Sequence, residues 1–129
     1  MVKEPRWISR EECQVFHEMM LLRHGGVAGV RDEAVLDAIV IRPKERFAAG
    51  VTELTQLAAC YATDIAVNRP FKTGNLASAL LISATFLRAN RVMFRGDKLR
   101  VVESMLALGK GVECEAWFAR FLWCNCVTV

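Results

Sequence analysis

The segment Asn68-Arg69-Pro70-Phe71-Lys72-Thr73-Gly74-Asn75 carries the residue types best suited to holding an anion. Gly74 lets the main chain approach a phosphate closely, and Asn75 is expected to cap the helix that follows. Free N–H groups at a helix start carry partial positive charge. Arg69 and Lys72 add cations on the same side. The plain alternative is that Pro70, Gly74 and Asn75 only punctuate helices, as such clusters often do.

What the segment lacks is a group that accepts a proton near neutral pH. The guanidinium of Arg69 stays protonated throughout the physiological range, and the Asn68 amide has no basic nitrogen. The histidines, His17 and His24, serve only if the fold brings them to this loop; His24 reads as a helix C-terminal residue and His17 as a partly buried one. Cys124-Asn125-Cys126 offers thiols for a soft metal, but no second Cys/His pair at zinc spacing accompanies it. No metal centre is expected.

The elements that must position the loop follow from apolar spacing. Ser9 and Glu12 form a capping-box pattern, opening a first helix that runs through Val15, Phe16, Met19 and Met20 to the stop at Gly25-Gly26. Asp32 caps a second, with Val35, Leu36, Ile39 and Val40 at helical spacing, expected to end before Pro43. Leu54, Leu57, Ala58, Tyr61, Ala62 and Ile65 make a third, limited by Pro70. Asn75 to Asn90 is apolar nearly all round and is expected at the centre of the bundle. Asp97 caps a fifth helix ending near Gly109, and Trp117, Phe118, Phe121 and Leu122 mark a sixth. Gly50-Val51 and Arg91-Val92-Met93-Phe94 each offer a few extended residues, too few for a sheet core. The fold class is therefore all-α, a compact bundle of about six helices.

Bulk properties agree with one domain over residues 1–129, its core at about 8–123. A chain of 129 residues that is 53% hydrophobic and 24% charged has enough apolar material to fold around a single core. The longest apolar run, Leu76 to Leu87, is interrupted by Ser78, Ser83 and Thr85 and falls short of the roughly 20 residues that span a bilayer, so no membrane association is expected. No secretory leader is visible after Met1, and the odd set Cys13, Cys60, Cys114, Cys124 and Cys126 fits reduced thiols; a cytoplasmic location is expected. The net charge of +3 is mild, and the basic runs Arg42 to Arg46 and Arg95 to Arg100 are each broken by an acid. Nucleic-acid binding ranks last on that ground.

The loop resembles the signature of the Fic/Doc family, His-x-Phe-x-Asp/Asn-Gly-Asn-Lys-Arg, onto which Arg69-Pro70-Phe71-Lys72-Thr73-Gly74-Asn75-Leu76-Ala77 aligns. Phe71, Gly74 and Asn75 match. Arg69 stands at the histidine position, Thr73 at the acid, and Leu76 and Ala77 at the Lys-Arg pair. The resemblance, closest to the death-on-curing toxins, extends from Ile8-Ser9-Arg10-Glu11-Glu12 to Phe121-Leu122. It includes a glycine-rich connector at His24 to Asp32 and a central helix at Ala79 to Asn90.

That resemblance implies a helical bundle transferring a phosphoryl or nucleotidyl group to a protein hydroxyl. For the death-on-curing branch it implies kinase action on elongation factor Tu and neutralisation by an antitoxin. ATP and Mg²⁺ are the implied cofactors if activity remains. Phe71 is then a structural anchor; Lys72, Gly74 and Asn75 are the phosphate-binding set, and Arg69 and Thr73 occupy the catalytic positions.

A general base is worth ~10²–10⁴ in rate and an arginine on the transferring phosphoryl ~10³–10⁵. Losing both, together with the acid that holds Mg²⁺, predicts a toxin-like pseudoenzyme that binds a partner such as an antitoxin-like protein. The alternative is an active transferase acting on a protein substrate, with Thr73 and Lys72 in new roles.

Overall fold

The computed structural model describes residues 3–128. Among them are six helices and two short strands: α1 (Arg10–His24), α2 (Glu33–Ala48), α3 (Leu54–Asn68), α4 (Asn75–Ala89), β1 (Val92–Phe94), α5 (Lys98–Gly109), α6 (Glu115–Cys124) and β2 (Cys126–Thr128). The architecture is the compact helical bundle that the apolar spacing predicts.

Three helix starts form as their local chemistry dictates. The Ser9 hydroxyl accepts from the Glu12 N–H while the Glu12 carboxylate accepts from the Ser9 N–H, a complete capping box. Asp32 and Asp97 accept from the N–H groups of Val35 and Arg100 in the same way.

The core centres on α3, in which Leu57 to Ala62, Ile65 and Ala66 are all buried. Its alanines let α2, α4, α5 and α6 all pack closely against it. Helix α4 lies beside it and buries Ala79, Ile82, Phe86 and Leu87, leaving Leu80 and Leu81 half-buried. Tyr61 reaches out of α3 to the incoming chain, its hydroxyl 3.0 Å from the Ile8 N–H that donates to it. No helix among the described residues is long and apolar enough to cross a membrane.

Two expectations need correction. Helix α2 does not stop before Pro43 but runs through it to Ala48. An interior proline costs a helix roughly 3 kcal/mol through the lost N–H and the ring clash. Here tertiary contact offsets it, because the Pro43 ring is buried and Arg42 and Arg46 on either side both pair with Glu115 of α6. Gly50-Val51 forms no strand, since the Val51 N–H bonds back to the Arg46 carbonyl at 3.0 Å and closes the end of α2. The extended residues at Val92 to Phe94 do form a strand: β1 pairs antiparallel with β2, and Phe94 sits opposite Cys126.

Candidate functional site

Helix α3 ends where Arg69 adopts a left-handed conformation, φ 49°, uncommon for a residue with a Cβ. Its N–H still closes the helix on the Ile65 carbonyl at 3.1 Å. Pro70 turns the chain away, and the segment from Gly26 to Asp32 then runs alongside the loop.

The two segments are joined mainly through their backbones. Val30 and Phe71 form an antiparallel bridge. The Lys72 N–H donates to the Gly29 carbonyl at 3.1 Å, and the N–H groups of Arg31 and Asp32 both donate to the Pro70 carbonyl, at 2.6 and 3.2 Å. Arg31 adds its side chain, donating from Nε to the Arg69 carbonyl and from Nη2 to the Asn68 carbonyl, each at 2.7 Å.

Thr73, at the position where the signature has an acid, is turned into this seam. Its hydroxyl accepts from the Val27 N–H at 2.9 Å and donates to the Val27 carbonyl at 3.2 Å. Gly26 is needed for this approach, because a Cβ there would lie 2.5 Å from the Thr73 Oγ1.

Asn75 does not cap α4 as its type suggests; Gly74, at φ 73°, is the residue preceding the helix and offers no side-chain cap. The Asn75 amide instead accepts from the Phe71 N–H and donates to the Phe71 carbonyl, both at 3.0 Å, closing the loop on itself. The first N–H groups of α4 are thereby left without a side-chain acceptor.

Phe71 is buried, 1% exposed. Sequence reasoning did not foresee its partner. His17 of α1 lies parallel to it, ring centroids 4.0 Å apart at 3°, and donates from Nε2 to the Thr73 carbonyl at 2.8 Å. His17 thus reaches the loop, but buried and with Nε2 committed to main chain. His24 is exposed at the last position of α1.

The result is a cup of about 580 Å³ lined by Arg31, Arg69, Phe71, Lys72, Thr73, Gly74, Asn75, Leu76 and Ala77. Of the loop residues singled out from the sequence, Arg69, Phe71, Lys72, Thr73, Gly74 and Asn75 line it, while Asn68 and Pro70 do not. Arg31, the third cation, was hidden from sequence reasoning because nothing local connects position 31 with position 69. Among the described residues none of the three is in an ion pair, the pairs being Arg10 with Glu33 and Asp37, Arg42 with Asp64 and Glu115, and Arg46 with Glu115.

A larger cavity, about 760 Å³, lies at the opposite end of α3 among α2, α3 and α6. Arg42 and Arg46 on its wall are already paired with Glu115, and it lies away from the loop.

The residues of the cup do not fit a bound Mg²⁺. Its lining contains no carboxylate, and the Thr73 hydroxyl is occupied on both its donor and its acceptor side by Val27.

No protein-family model matches the chain. It is similar to the Protein kinase doc of Escherichia phage P1, 34% identical over 88 residues that make up 67% of this chain and 70% of that protein. With likeness over so much of both chains and a helical bundle presenting its glycine loop at the start of α4, the chain belongs to the Doc family.

Proposed function

We propose that this Doc-family chain is a toxin-like member of a toxin–antitoxin type of system whose phosphoryl-transfer chemistry is lost or strongly reduced, and that it acts by binding a protein partner of the antitoxin kind. The observation that carries the reading is the identity of position 69. Transfer to a hydroxyl needs a proton acceptor beside the phosphate, and Arg69 offers a permanent cation there. His17 is no substitute, because it is buried and the nitrogen it turns to the loop, Nε2, carries the proton donated to the Thr73 carbonyl. Leu76 and Ala77, on the cup wall, supply neither charge nor hydrogen bond to a phosphate.

The test is incubation of the purified protein with Mg²⁺, labelled ATP, elongation factor Tu and cell lysate. No transferred label above background is expected from the wild type. The combined change Arg69→His, Thr73→Asp, Leu76→Lys and Ala77→Arg is expected to bring label up measurably. Wild-type transfer that disappears when the loop is altered overturns the proposal in favour of an active transferase with a changed site.

A further inference from the structure

The cup at the start of α4 combines a helix terminus of partial positive charge with Arg31, Arg69 and Lys72, and no acidic residue lines it. A divalent cation entering there meets like charge and no carboxylate, whereas an anion meets favourable charge on several sides. Anion sites that rely on a metal balance phosphate charge with the ion; here the protein's own cations can do so.

Arg31 is the best-placed of the three. Its guanidinium has five N–H donors, and main-chain carbonyls of Asn68 and Arg69 engage Nε and Nη2. Those bonds fix the side chain against the loop while its remaining donors stay available, so little further ordering is needed to grip a ligand. Lys72 lies across Gly29, its Nζ 3.5 Å from where a Cβ would stand, and reaches the same cup.

We infer that this cup binds the end of a di- or triphosphate free of divalent metal, with Arg31 as an anchoring cation beside Arg69 and Lys72. The inference rests on the proposed reading of the loop as the functional site, but not on whether transfer survives. It reverses the Mg²⁺ requirement that the family resemblance implies.

Calorimetric titration of pyrophosphate into the wild-type protein, once with EDTA and once with excess Mg²⁺, tests it; a parallel titration with ATP separates a phosphate grip from a nucleoside contribution. Saturable one-to-one binding is expected in EDTA, weakening with added salt and weakening further when Mg²⁺ neutralises the ligand. Arg31→Ala and Lys72→Met are each expected to weaken it by about tenfold, the scale of one charge-assisted hydrogen bond. Because Arg31 also braces the loop, Lys72→Met carries the reading should Arg31→Ala misfold. Binding that appears only with Mg²⁺, absence of binding in EDTA, or full affinity in Lys72→Met overturns the inference. Such a result leaves the loss of transfer standing, just as transferred label overturns that loss and leaves this inference standing.

Discussion

His17 shows how a residue without chemistry of its own can decide the shape of a site. It is 2% exposed, stacked on Phe71 and bonded to the Thr73 carbonyl, so it holds the loop from beneath by both its face and its edge. His17→Phe keeps the stack and loses the bond, at an expected cost of about 1 kcal/mol. His17→Ala loses both and leaves a void, at about 2–4 kcal/mol. Urea unfolding of the two variants checks the order. The loop residues themselves were legible from Gly74 and its neighbours, because local chemistry marks them. Neither His17 nor Arg31 was, since their roles depend on contacts 56 and 38 positions away along the chain.

At the scale of elements, caps were readable and endurance was not. Ser9, Asp32 and Asp97 announce their helices by side-chain chemistry within one turn. Pro43 argues as strongly for a stop, and the argument fails because Glu115, 69 and 73 positions away from Arg46 and Arg42, binds both flanking arginines. Arg42 also lies 3.4 Å from Asp64 of α3, whose carboxyl is pushed above its ordinary range by burial and drawn back down by Arg42. Glu115→Gln should therefore cost about 1–2 kcal/mol, discounted for the partial exposure of all three side chains. Hydrogen exchange should quicken in α2 after Pro43, while α1 keeps its protection.

For the molecule as a whole, the buried ionisable groups set an alkaline limit. Burial pushes the thiols of Cys13 and Cys60 from 9.0 up to about 12, and it raises the Tyr61 phenol as well. Each folded-state value lies above the unfolded one, so the fold favours the protonated form. That contribution is complete below pH 9 and is lost as pH climbs through the window to about 12. The urea midpoint should stay level up to that threshold and fall beyond it. Cys13→Ala should make the fall shallower, even though it lowers the midpoint at every pH by leaving a small void.

The seam between the glycine connector and the loop has a bearing on how such a protein changes over generations. Because Gly29, Val30, Arg31 and Asp32 meet Lys72, Phe71 and Pro70 mainly through peptide groups, the outline of the cup is largely independent of what side chains stand at the exposed positions 69 and 72. Those positions can be exchanged at little cost to folding. A lineage can thus shed one chemistry and acquire another ligand without passing through an unfolded ancestor.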